Sequence, residues 1–205
     1  MTGRVPSRPG AGLTAGLGLL LLGSAGCTHV EAAPPAAAPR APLTSSVSSA
    51  TAELQKRYAG TYLYAGSDAE RRAVSAAVER AISGLSFLAK PVARQSVRQH
   101  AEIRDSYQLF FDGLGNLQIS SPGFPVELGP LDGSPFALET KYGDQTQVSQ
   151  SFVDGVLIQK GHTDEGGGRT EFRLEDDGAT LLVRRVMESS QLSAPVDFTL
   201  TYRRQ

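Results

Sequence analysis

The 205-residue sequence has one cysteine, no tryptophan and no excess of either charge. A single thiol forms no intramolecular disulfide, so the fold draws its stability from a core. Twenty Lys and Arg stand against 21 Asp and Glu, which leaves no basic footprint to hold a phosphate backbone and excludes nucleic acid as a partner. No later apolar run approaches the ~20 residues that span a bilayer, which excludes a polytopic membrane protein. Catalytic signatures are missing as well. There is no Gly-x-Ser-x-Gly elbow and no phosphate loop at a helix start, and the cysteine lies outside any plausible domain. Hydrophobic residues make up 40% and glycines number 22, a composition able to bury a core.

Arg4 and Arg8 precede an apolar run from Gly10 to Leu22, followed by Gly23-Ser24-Ala25-Gly26-Cys27. Charge, short apolar stretch and small residues in that order read as a secretory signal peptide over residues 1–26. Ala25 and Gly26 before Cys27 resemble the lipobox of bacterial lipoproteins, with Ser24 where Leu is commonest. The resemblance implies lipidation of Cys27, and Thr28 after it implies the outer membrane facing the periplasm of a Gram-negative envelope. The alternative is an ordinary signal peptide with an incidental cysteine. Two or more acyl chains anchor stably, at ~0.8 kcal/mol per buried methylene.

Of the 25 residues from Thr28 to Ala52, eight are Ala, four Pro and seven Ser or Thr, with no aromatic. Such a segment buries too little apolar area to offset ordering, so residues 27–52 read as the lipidated cysteine and a disordered linker. The folded domain is expected over 53–205.

Gly60-Thr61-Tyr62-Leu63-Tyr64 reads as a first strand. Ser67 and Glu70 form a capping-box pattern before a helix over about 68–84, whose stripe is Val74, Ala77, Val78, Ala81, Ile82 and Leu85. A second helix over about 90–104 opens at Pro91, with Ala93, Val97, His100 and Ala101 along one side. From Tyr107 the period becomes two. Strands are expected at 107–111, 116–120, 124–128, 136–142, 147–152, 156–160, 169–175, 180–187 and 196–202. Asp112-Gly113, Asp132-Gly133, Asp154-Gly155 and Asp177-Gly178 stand between runs as hairpin turns. The fold class is mainly β: an antiparallel meander of roughly ten strands, closed into a barrel with a two-helix insertion after the first strand. A two-sheet sandwich is the alternative.

This order resembles the calycin barrels, the fatty-acid-binding proteins and lipocalins in particular. Gly60-Thr61-Tyr62 stands in the place of their Gly-x-Trp motif, and the resemblance implies that Arg203 or Arg204 packs over Tyr62. Leu200-Thr201-Tyr202 departs from their carboxylate clamp.

His162-Thr163-Asp164-Glu165, running into three glycines, reads as a mobile hairpin loop rather than a metal site. His100 reads as a helical surface or half-buried residue. Arg185 shares its strand phase with Leu181, Val183 and Met187, which places a guanidinium at the barrel mouth unless a bulge turns it outward. The expected function is a non-enzymatic, lipid-anchored envelope protein that binds a small apolar molecule or lipid. Val78, Ile82, Phe152, Arg185 and Tyr202 are the candidate ligand contacts, and no cofactor or metal is implied. The alternative is a scaffold contacting another envelope protein, with Phe110, Phe111, Phe152, Phe172, Phe198 and Tyr202 plugging the barrel.

Overall fold

A computed structural model describes residues 48–205. Helix α1 (Ser49–Tyr58) leads into β1 (Gly60–Tyr64), and α2 (Asp68–Ala81) and α3 (Lys90–His100) follow. The remaining strands are β2 (Ser106–Phe111), β3 (Asn116–Ser120), β4 (Glu127–Pro130), β5 (Phe136–Glu139) and β6 (Gln145–Val153), then β7 (Val156–Thr163), β8 (Gly166–Leu174), β9 (Thr180–Ser189) and β10 (Val196–Arg204). The ten strands form one antiparallel sheet in the order β4-β3-β2-β1-β10-β9-β8-β7-β6-β5, so the first and last strands lie side by side in its middle.

The sheet curls into a barrel, not a sandwich. β4 and β5 do not pair along their length. Beyond β4 the chain meets β6 instead, through one bridge between Asp132 and Ser151 and a 2.8 Å bond from the Gly133 amide to the Gln150 carbonyl. At this seam Gly129 lets the Phe136 ring lie on the backbone, where a Cβ would stand 2.1 Å from it and push it aside. Asp154-Gly155 makes a two-residue hairpin with positive φ at both residues (50° and 78°), the geometry that matches the right-handed twist of its strands.

One contiguous core fills the barrel. Tyr62, Tyr107, Leu109, Leu117, Ile119, Leu157, Phe172, Leu181, Val183, Leu200 and Tyr202 alternate inward and are buried. The rings meet edge to face, with centroids 5.1 Å apart for Tyr107 and Tyr202 and 5.2 Å for Tyr107 and Phe172. Phe110 is not among them: it faces solvent, in the opposite phase to Leu109 and Phe111. Arg204 packs over Tyr62 at 4.9 Å from the ring centroid and donates to the Ala59 carbonyl at 2.7 Å.

Four sequence expectations need correction. The linker composition extends to Ala52, yet α1 starts at Ser49, capped by Ser48 Oγ accepting from the Thr51 amide at 3.2 Å. Its purpose is local: Tyr58 enters the base of the barrel, donates to the Gly155 and Phe172 carbonyls (2.9 and 3.1 Å) and accepts from the Leu174 amide (3.1 Å). The Ser67–Glu70 capping box does not form, since Ser67 makes no side-chain cap bond. Glu70 instead accepts from the Thr201 amide (2.9 Å) and hydroxyl (2.7 Å), tying α2 to β10. His162 and Thr163 belong to β7 and Gly166-Gly167-Gly168 to β8, paired residue by residue, so the turn shrinks to Asp164-Glu165. The helices also end earlier than expected, at Ala81 and His100.

Two outcomes follow from this architecture. Tyr58→Phe removes the hydroxyl that shares its proton between the Gly155 and Phe172 carbonyls and accepts from the Leu174 amide, and urea unfolding should show a loss of about 1–3 kcal/mol; an unchanged midpoint would mean that α1 does not close the base. Asp177 accepts from the Thr180 hydroxyl (2.6 Å) and from the Thr180 and Ala179 amides (2.7 and 2.8 Å), which pull its pKa down to about 2. A folded value below the unfolded ~3.9 means that its contribution is complete above that pH and is lost as pH falls toward 2. The urea midpoints of the wild type and Asp177→Ala should differ at pH 6 and converge between pH 4 and 2. A constant gap would contradict the assignment.

Candidate ligand site

Beside the seam, strand alternation places a cluster of polar residues on the inner face. Glu127 opens β4 and is 4% exposed. It accepts from Arg104 Nη2 at 2.8 Å and from Gln159 Nε2 at 2.6 Å. Arg104 lies on the segment joining α3 to β2, with its guanidinium 5.2 Å from the Tyr107 ring centroid and 4.4 Å from that of Phe124. Burial opposes its charge, yet Tyr107 and Glu127 hold its pKa above the ordinary arginine value. The Arg104 carbonyl accepts from the Tyr202 hydroxyl at 2.9 Å, and burial pushes that phenol well above the usual tyrosine range.

Not every buried polar atom here is paired. Gln150 is 0% exposed, and both its Nε2 and Oε1 are without a partner, as are Arg104 Nε and Ser121 Oγ. Gln150 is the register partner of Gln159, so the two amides share one inner face beside Glu127. An orphaned buried amide costs about 1–3 kcal/mol and calls for an occupant or an explanation.

The helix pair covers the end of the barrel where these residues lie, and its two members are held differently. α2 buries Val74, Ala77, Val78 and Ala81 and is part of the core. α3 contains no buried residue. Besides Val97, which is partly buried and packs against the core, polar contacts hold it. Glu79 of α2 accepts from Arg94 Nε and Nη2 at 2.7 and 2.8 Å, and that bond holds the Glu79 carboxyl below its ordinary pKa. Tyr142 donates to the Gln99 carbonyl at 2.7 Å, Lys141 pairs with Glu102, and His100 Nε2 lies 3.3 Å from Asp144 Oδ2. The turn between the helices exposes Phe87 and Leu88, at 87% and 84%.

The residues singled out by the sequence fall in different places. Arg185 faces inward at the mouth, opposite Phe198; the register of β9 with both neighbours is unbroken, so no bulge turns it out. It donates to the His100 and Glu102 carbonyls at 2.8 and 3.0 Å, capping the end of α3 where the helix dipole favours a cation. Val78 and Tyr202 sit in the core, and Ile82 is equally buried just past α2. Phe152 lies at the opposite end, 5.3 Å from Tyr58 and 6.2 Å from Phe111 between ring centroids, and does not join the others. Cys27 lies outside the described residues. Among the described residues no group of three or more His, Cys, Asp or Glu is placed to hold a metal ion.

The sequence reading missed Arg104, Glu127, Gln150 and Gln159. One signal was present: in 126–128 the apolar residues Val126 and Leu128 flank Glu127, and the structure turns both of them to solvent.

No family model matches this chain, and no curated protein matches it. Solved structures similar to it include fatty-acid-binding protein 1 of Echinococcus granulosus, at 12% identity over 73% of this chain and 98% of that one, with a TM-score of 0.45. The zebrafish ileal bile-acid-binding protein complexed with cholic acid is similar at 9% identity over 73% and 99%, TM-score 0.46. A secretory abundant heat-soluble protein of Ramazzottius varieornatus is similar at 13% identity over 73% and 96%, TM-score 0.48.

Proposed function

We propose that the barrel binds a small apolar ligand admitted when α3 lifts from its mouth, and that lipid on Cys27 holds the chain at the outer membrane, facing the periplasm. The observation that carries the ligand reading is Gln150: a fully buried amide on the inner face with both polar atoms unpaired, beside the Glu127–Arg104 pair at the root of α3. Apolar walls supply affinity and a few placed polar groups supply orientation, as in small-molecule sites generally. An α3 held by exposed polar contacts opens at low cost compared with the core strands. Arg185 is one latch on the barrel side, alongside Tyr142, Lys141 and Asp144.

A second reading has its own support. The rings of Tyr62, Tyr107, Phe172 and Tyr202 already belong to one packed core inside the barrel, and Phe87 and Leu88 stand exposed at the helix turn. In that reading the barrel is a plugged scaffold, and the exposed pair marks a surface for an envelope protein.

Binding of the neutral, environment-sensitive dye Nile red separates the two. The full chain carrying Cys27→Ser should bind it saturably, and Arg185→Ala should speed its uptake several-fold while shifting the melting temperature by only a few degrees. Absence of saturable binding would leave the scaffold reading in place. The anchor is tested apart: intact-mass analysis of membrane-purified protein should show residues 1–26 missing and acyl mass on Cys27, and an unmodified soluble chain would overturn it.

A further inference from the structure

We infer that the ligand admitted beneath α3 carries a neutral polar head, such as a hydroxyl, amide or carbonyl, and not a carboxylate; this rests on the ligand-binding reading above. The argument is one of charge. Three guanidinium groups reach the inner face of the barrel or its ends, and each is already engaged. Arg104 is paired with Glu127 at 2.8 Å. Arg185 is bonded to the His100 and Glu102 carbonyls, and Arg204 to those of Ala59 and Gly178 at 2.7 and 3.0 Å.

Apart from the Tyr64 hydroxyl, which lies by Gly66, the buried side-chain atoms left unpaired among the described residues are almost entirely neutral: Gln150 Nε2 and Oε1 and Ser121 Oγ, with Arg104 Nε as one further donor. These atoms belong to one neighbourhood. Gln150 pairs in register with Gln159, Gln159 donates to Glu127, and Glu127 accepts from Arg104. One step past the paired Gln108 and Ser120 stand Tyr107 and Ser121, and the Tyr107 ring lies beneath the Arg104 guanidinium.

A carboxylate head brought here would stand beside the resident Glu127 carboxylate, and two like charges repel strongly where water is excluded. A hydroxyl or primary amide meets no such penalty. It donates to Gln150 Oε1, accepts from Gln150 Nε2 and loses only the hydration of a neutral group. Glu127 thus does two things: it neutralises Arg104, and it reserves the remaining polar atoms for uncharged partners.

The test displaces Nile red from the full chain carrying Cys27→Ser with three competitors of equal chain length: decan-1-ol, decanamide and decanoate at neutral pH. The two neutral compounds should displace the dye at concentrations at least tenfold below decanoate. Glu127→Gln keeps the side-chain shape but frees Arg104, so decanoate should gain at least tenfold. Gln150→Leu should weaken decanamide at least fivefold. Should Glu127→Gln fail to fold, judged by circular dichroism, Gln150→Leu still decides, because it replaces unpaired buried atoms with apolar ones of similar size. Wild-type decanoate matching the neutral compounds, or unchanged decanamide displacement in Gln150→Leu, would overturn the inference while leaving the ligand-binding reading intact. Loss of dye binding itself would fail that reading first.

Discussion

A ten-stranded meander closes here across one seam, and the side chain that crosses it is Glu127. From the start of β4 it reaches Gln159 on β7 and Arg104 on the segment leaving α3, so a single buried carboxylate joins both sides of the seam to the root of the helix pair. A buried ion pair is weak support for stability compared with apolar packing, but removing one partner costs about 3–5 kcal/mol because the other charge is left alone. Closure, α3 and the interior charge balance therefore share one interaction.

The two ends of the barrel differ in consequence. At the base, Tyr58 and Arg204 deliver side chains from α1 and β10 onto backbone carbonyls, and aromatic rings interlock without polar loose ends. At the mouth the order reverses: Gln150 and Glu127 are buried with Gln159 and Arg104 half-buried beside them, and not all of their polar atoms are satisfied. The base is built for stability. The mouth keeps hydrogen-bonding capacity that the fold does not itself use, under the helix with the least burial.

How much of this the sequence discloses follows the kind of signal involved. Period-two alternation and Asp-Gly turns are local, and they mark all ten strands, with the largest errors at β4 and β5, where pairing at the seam decides the boundaries. The late arginine over Tyr62 is legible as Arg203 or Arg204 from the resemblance to calycin barrels, and the structure places Arg204 there. Helix α1 is hidden because its tie to the fold is one tyrosine at its end, while its first turns are the Ser, Thr and Ala of a linker. The Glu70 bond to Thr201 depends on where β10 lies, which no local pattern states. The polar cluster is the hardest to see: burying Glu127 while exposing Val126 and Leu128 inverts the alternation, and only the Ile119–Glu127 register and the closeness of Gly129 to Phe136 fix that phase.

Native mass spectrometry of the protein isolated from the cell that makes it addresses the central claim most directly. The account predicts a one-to-one complex with a small, largely apolar molecule whose head is uncharged at neutral pH, released together with partial unfolding of α3. A chain that flies free of any ligand after gentle isolation, or one carrying a fatty-acid anion, would contradict it.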